Sequence, residues 1–265
     1  MPEWVTFSVD LEPNKDDTLA GIEEAMTWYD EKIPQGTVYA TYRIATELPN
    51  VIAELAENHE IGVHVHPREF GHNHDQLAEL PPERQRELIT KTRSELAVAA
   101  DISESEIIAF RAGRHSTNQR TLHVLSDLGF AVDASINDNY TDYLPESLTR
   151  RQNPFVLDSG LVELPTTYGC PRLFSRAGLY AFPSRTVTAT ANTLRTDKRG
   201  TTGLVVLQWL LKRELPFSFY MHPYDATSHH KNLENSGSVF RNRVVSLLKD
   251  FNGEFLTAGE ISRRQ

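Results

Sequence analysis

Residues 60–74 read EIGVHVHPREFGHNH, so four of the chain's ten histidines, His64, His66, His72 and His74, follow directly on a short apolar run. Imidazole is the commonest protein metal ligand and the usual proton carrier near neutral pH. Other polar groups stand in comparable places. Asp10 and Glu12 close the run TFSVDLE, Arg111 and Arg114 follow IIAF in AFRAGR, and His222 follows FSFYM in FYMHPYD. Residues i and i+2 of a strand point to the same side, so His64 and His66 can reach toward one ion, as can Asp10 and Glu12. Two imidazoles and one carboxylate make an open zinc or similar divalent site, with a position left for water or a substrate oxygen. A second carboxylate beside that water would serve as general base, and a histidine on the opposite side would protonate the leaving group. That division of labour suits hydrolysis of an amide or an ester.

For these groups to meet, separate strands must deliver them at one end of a sheet. Strand-like runs occur at WVTFSV (4–9), TVYATY (37–42), EIGVHV (60–65), IIAF (107–110), FAVDASI (130–136), FSFYM (217–221) and EFLTA (254–258). Helical spacing lies between them, most clearly over PPERQRELITKTRSELAVAA, where two prolines suit a helix start. TNQRTLHVLSDLG ends in a glycine suited to a helix C-terminus, and TGLVVLQWLLKRE and SVFRNRVVSLLKDF follow later. Strands alternating with helices predict a mostly parallel sheet with helices outside it, and in such folds chemistry sits at the carboxyl ends of the strands. One domain is expected over residues 1–265. Residues 137–202, rich in Pro, Thr, Arg and Tyr with weak periodicity, read as a long loop-rich insertion near the active site.

Composition narrows the function classes. A net charge of −9 argues against nucleic acid as the main partner, and 39% hydrophobic with 24% charged residues describes a soluble globular chain. The lone Cys170 builds neither an intrachain disulfide nor a cysteine cluster. The opening MPEWVTFSVD has no secretory signal pattern, and LVVLQWLL (204–211) is too short for a membrane span, so a cytoplasmic location is expected.

In order along the chain, these pieces resemble the polysaccharide deacetylases of the carbohydrate esterase family four type. TFSVDLE is similar to the family's first motif, HEIGVHVHP to the second, FRAGRHSTNQRTLHVLSDLGFAVDASI to the third, VELPTTY to the fourth and FYMHPYD to the fifth, with EFLTAGEI as the final strand. The resemblance implies a distorted (β/α) barrel of about seven parallel strands with outer helices, a carbohydrate substrate and a divalent metal, zinc first. Carried over by position, it implies Asp10 as general base, Glu12 as carboxylate ligand and His64 as first imidazole ligand. Arg111 would then steer Asp10, and His222 would be the general acid. Arg68 stands where the second imidazole ligand is usual, and a guanidinium has no lone pair to give. His66 is the natural replacement, with His72 or His74 folding back as alternatives. Leu11 separates the two acids of the first motif, and the third motif reads RAGR without the usual proline.

The expected activity is removal of an acetyl group from an N-acetylated sugar on a soluble, nucleotide-linked or lipid-linked precursor. Its rivals are a non-catalytic carbohydrate-binding descendant of the same fold and a hydrolase of a non-sugar amide. Asp225 is a candidate to orient His222, and Arg114 and His115 stand between a site role and a structural one. Glu163 and Tyr168 are candidates to line the groove, and the mix of aromatics and arginines from Tyr168 to Arg185 would stack on sugar rings or form a lid. Replacing Arg172 or Arg176 is expected to alter substrate affinity rather than stability. His72 and His74 otherwise read as solvated loop residues, and His229 and His230 as exposed.

Overall fold

The computed structural model describes residues 2–169, 187–198, 201–213, 216–229 and 233–265. Cys170, Arg172, Arg176, His230 and the aromatic and arginine mix up to Arg185 lie outside them.

Among the described residues, nine strands form the main sheet: β1 (Trp4–Leu11), β2 (Thr37–Ala40), β3 (Glu60–Val65), β4 (Ala109–Ala112), β5 (Val132–Asp133), β6 (Phe155–Val156), β7 (Val162–Glu163), β8 (Phe217–Met221) and β9 (Glu254–Phe255). Their order is β8-β1-β2-β3-β4-β5-β7-β6, with β9 also paired to β1. All pairings are parallel except that of β6 with β7. The sheet curls, and extended but irregular segments bridge its two sides. Thr166 N–H donates to the Ile136 carbonyl at 2.9 Å, Thr167 N–H to Ser218 at 3.1 Å, and Thr190 bridges Tyr220. This is the distorted (β/α) barrel the sequence predicts.

Alternation along the strands makes two apolar layers. Val5, Phe7, Val9 and Leu11 of β1, with Ile61, Val63 and Val65 of β3, face outward beneath the helices. Those helices include α1 (Ile22–Lys32), α2 (Tyr42–Glu47), α3 (Pro49–Ala56), α4 (Pro82–Ala100) and α5 (Gln119–Asp127). The Asn118 side chain caps α5 by accepting the Arg120 and Thr121 N–H groups, and Gly129 follows its end at φ 76°. Further along lie α6 (Ala191–Arg195), α7 (Gly203–Leu211), α8 (Pro223–Ala226), α9 (Ser238–Leu248) and α10 (Ala258–Arg263). Inside the barrel, Tyr39, Ala109, Val132, Ala134, Val162 and Leu164 pack on Leu256, Ala258 and Ile261. The N-terminus of α10 therefore stops the amino end of the barrel. Ala258 N–H donates to Thr37 Oγ1 at 2.8 Å, and Gly259 N–H donates to the Glu60 carboxylate at 3.0 and 3.1 Å. Among the described residues the carboxyl end stays open. No described helix is long and apolar enough to cross a membrane.

Several segments differ from the pattern reading. The fourth strand begins two residues later than IIAF, so Arg111 lies within it rather than after it. EFLTA is strand only over Glu254–Phe255, because Thr257 turns the chain by capping α10. Within the stretch 137–202, the described residues supply β6 and β7 to the sheet and the helix α6.

Asp133 and Glu163 are register partners on β5 and β7, both fully buried on the face opposite Val132 and Val162. Glu163 accordingly does not line the cleft, and neither of its carboxyl oxygens has a hydrogen-bond partner among the described residues. Burial, together with the neighbouring Asp133 carboxyl, holds the Glu163 proton well above the ordinary range, and burial pushes Asp133 up to about 7. Raised native values mean that the folded chain binds more protons than the unfolded one above about pH 4, so this pair costs stability as pH rises toward its native range. Glu163→Gln should relieve that cost, by on the order of 1 kcal/mol per pH unit at the steepest. Urea midpoints of variant and wild type across that range are the check, and a constant difference between them would show the pair to be silent.

Candidate active site

Strand register brings the polar groups together. Val9 pairs with Met221, so Asp10 and His222, one residue further along each strand, emerge side by side. His64 pairs with Arg111 across β3 and β4. At the open end a cleft of about 710 Å³ is lined by Asp10, Glu12, His64, His66, His222 and Tyr140, among others.

Three of these groups form a compact donor set. One ligand atom each from Glu12, His64 and His66 lie within 4.8 Å of one another, the only such group of three or more found among the described residues. Glu12 Oε2 is 2.6 Å from His66 Nε2 and 3.5 Å from His64 Nε2, and the two imidazole nitrogens are 3.2 Å apart. A carbonyl only accepts, so His64 Nδ1–H donates to the Arg111 carbonyl at 2.8 Å, which leaves the Nε2 lone pair turned inward. His66 Nδ1 faces Asp75 at 3.6 Å, a carboxylate that no sequence motif singled out. Burial disfavours the charged His66 ring, yet Glu12 and Asp75 raise it to about 10. Burial likewise pushes Glu12 up, but His66 and His64 outweigh it and hold the carboxylate well below its usual range. Three groups able to give a lone pair thus converge at one point, as a cation's ligands would.

Two glycines permit the arrangement. A Cβ on Gly113 would lie 2.6 Å from the Val65 carbonyl and 2.9 Å from the His66 ring. A Cβ on Gly62 would come within 2.7 Å of the Tyr39 ring, on which the Arg111 guanidinium stacks at 4.2 Å.

Asp10 stands outside the donor set. Its Oδ1 pairs with Arg111 Nη1 at 2.5 Å, and its Oδ2 faces His222 Nε2 at 4.0 Å. Arg111, 2% exposed, is held in turn by Ser8 Oγ and the Ala134 carbonyl, both at 3.0 Å. Burial alone would raise Asp10, but the guanidinium and nearby imidazoles outweigh it and keep the carboxyl ionised. His222 has the opposite polarity. Burial opposes its charge, yet Asp225, Glu12 and Asp10 hold its proton above the ordinary imidazole range. A carboxylate held toward its charged form and an imidazole held toward its protonated form thus flank the three donors.

Arg114 and His115 both occupy the left-handed region, at φ 54° and 55°, which costs non-glycine residues about 1–3 kcal/mol each. Burial pushes His115 down to about 3, so its ring is neutral. Its Nδ1–H donates to the Ser135 carbonyl at 3.0 Å, and its Nε2 accepts from the Tyr220 hydroxyl at 2.9 Å. The ring stacks on half-exposed Tyr140 at 5.3 Å, while Tyr224 stacks on His222 at 4.5 Å. Aromatic faces therefore border the centre on two sides.

The remaining sequence candidates lie elsewhere. His72 Nε2 accepts from Arg84 at 3.1 Å, His74 lies 3.9 Å from Glu79, and neither joins the donor set. Arg68 points outward at the rim with its side chain 63% exposed. The Tyr168 hydroxyl donates to the Arg150 carbonyl at 2.7 Å, outside the cleft lining. His229 is exposed near Asp16.

Comparison with known proteins bears on the fold. The family model for polysaccharide deacetylases matches residues 20–132, which include His64, His66 and Arg111. A Mycobacterium smegmatis protein provisionally described as a polysaccharide deacetylase superposes at a TM-score of 0.66 with 15% identity, over 98% of this chain and 89% of its own. A family 4 carbohydrate esterase from Bacillus anthracis superposes at 0.53 with 12% identity, over 100% and 84%. A pseudoenzyme of that family from the same organism does so at 0.52 with 11% identity, over 98% and 66%. No curated protein matches the sequence. The fold is that of the carbohydrate-esterase deacetylases. The resemblance to the polysaccharide deacetylase family drawn from the motifs holds.

Proposed function

We propose that the chain is a metal-dependent deacetylase that hydrolyses the acetamide of an N-acetylated sugar carried on a soluble, nucleotide-linked or lipid-linked precursor. The observation that carries this reading is the placement of the Asp10 carboxylate and the His222 imidazole, 4.0 Å apart, beside the convergent Glu12, His64 and His66. The donors fit a zinc-type ion, with two nitrogens and one oxygen and a tautomer of His64 fixed for ligation. When bound, such an ion supplies a Lewis acid and lowers the pKa of water toward neutrality. The chain's own residues divide the remaining work. Asp10, steered by Arg111, takes the proton from the water whose oxygen attacks the acetyl carbonyl carbon. His222 gives a proton to the sugar nitrogen as the C–N bond breaks, so acetate and a free amine leave. Tyr140, half-exposed where it stacks on His115, offers its outer face to a sugar ring.

The test is the metal content of the purified chain, then acetate release from N-acetylated sugars with that metal restored. His64→Ala should abolish stoichiometric divalent binding and His66→Ala should weaken it severely, with turnover lost in parallel. Full occupancy in His64→Ala would dismiss the site as drawn. A metal-loaded chain that binds such a sugar yet cleaves none would establish the carbohydrate-binding reading instead.

A further inference from the structure

The two oxygens of Asp225 have different neighbours. Oδ2 accepts the His222 backbone N–H at 2.8 Å and faces the imidazole Nδ1 at 3.4 Å. Oδ1 faces Arg195 Nε at 2.8 Å, an ion pair rather than a linear hydrogen bond. Asp225 is 1% exposed and Arg195 8%, so water reaches neither charge freely. Removing one partner of such a pair leaves the other buried and uncompensated.

Arg195 comes to this contact on a clamped support. Its carbonyl accepts from Asn235 Nδ2 at 2.7 Å, and its Nη1 lies 3.4 Å from the Glu234 carbonyl. Arg243 donates to the preceding Leu194 carbonyl at 2.8 Å and pairs with Asp197. Thr190, whose side chain caps α6, bridges Tyr220, two residues before His222. The guanidinium and the imidazole are therefore fixed to the same strand end from opposite sides of one carboxylate.

We propose that Arg195 is a positioning residue for His222, acting through Asp225. This inference rests on the reading of His222 as the proton donor. With Oδ1 held by Arg195, the carboxylate cannot turn, and Oδ2 stays against Nδ1. The imidazole plane is then set so that Nε2 points at the centre, 4.0 Å from Asp10 and 3.7 Å from Glu12. Without the guanidinium only the His222 backbone N–H holds the carboxylate, which can then pivot about Oδ2 and loosen the ring's anchor. A purely structural ion pair would stabilise the fold without this dependence on His222.

The test uses the full chain with its divalent ion restored. In Arg195→Met, kcat for an N-acetylated sugar should fall by on the order of tenfold to a hundredfold, the scale for a misplaced catalytic group, with KM little changed. Arg195→Lys should recover part of that loss. In a His222→Ala background, Arg195→Met should add less than about twofold, because nothing remains to position. The ring N–H proton resonance of His222, assigned by its absence in His222→Gln, should broaden away in Arg195→Met and return in Arg195→Lys. If Arg195→Met does not fold, Arg195→Gln carries the same comparison, since its amide fills the site without the charge that Asp225 pairs with. Equal losses in the wild-type and His222→Ala backgrounds, or an unaltered resonance, would overturn the proposal. If His222→Ala itself leaves turnover intact, the proton-donor reading fails, and the resonance still decides whether Arg195 fixes the ring.

Discussion

Asp10→Asn is expected to keep its divalent ion and to lose about a hundredfold or more in turnover, the usual scale for a general base. The asparagine has the shape of the aspartate, and its carbonyl oxygen can still accept from Arg111 where Oδ1 now sits at 2.5 Å. What disappears is the anionic oxygen that faces His222 and would take the proton from water. Because Asp10 is not among the three convergent donors, ion binding should survive the change. Glu12→Gln should behave differently. Its oxygen lies 2.6 Å from His66 and 3.5 Å from His64, so removing its charge should take ion and turnover together. Metal analysis of the two variants, paired with acetate release, separates base from ligand. An Asp10→Asn protein that turns over at the wild-type rate would dismiss Asp10 as the base.

His222→Ala is expected to spare the ion and to slow cleavage of an acetamide by on the order of a hundredfold to ten-thousandfold. An amine leaves poorly unless a proton reaches it as the bond breaks. A phenolate needs no such help, so the penalty should shrink toward unity for an aryl acetate. Comparing the two substrates in wild type and variant is the measurement. An equal penalty on both would make His222 a binding residue rather than an acid.

Much of this site is legible in the linear sequence, for a local reason. EIGVHV and FSFYM are strands over the very residues the pattern marks, because apolar and β-branched residues bounded by turn formers act within a few positions. Once β1 and β3 are strands, their alternation alone puts Asp10 with Glu12, and His64 with His66, on one side. The helices α1, α2 and α3 escaped the reading. In α1 the buried Ile22, Ala25, Met26 and Tyr29 do recur at helical spacing, but interleaved acids dilute the run. The other two helices are 6 and 8 residues long, too short to show a period clearly.

Other features depend on distance in space. Whether His66, His72 or His74 stands beside His64 was open in the sequence. The fold brings His66 there, because Gly113 leaves room for its ring and the turn after Pro67 carries His72 and His74 off to Arg84 and Glu79. Asp75 and Arg195 sit in stretches without apolar periodicity, so neither is marked until His66 and Asp225 are found next to them. Glu163 shows the reverse. It looked like a groove residue, and one position of strand alternation sends it to the opposite face. Sequence by itself determined which side chains each strand carries at its carboxyl end, since alternation and chain termination are local. Only the tertiary structure decided which of them meet, because parallel register, such as Val9 with Met221 or His64 with Arg111, joins residues far apart in the chain through contacts that no local pattern encodes.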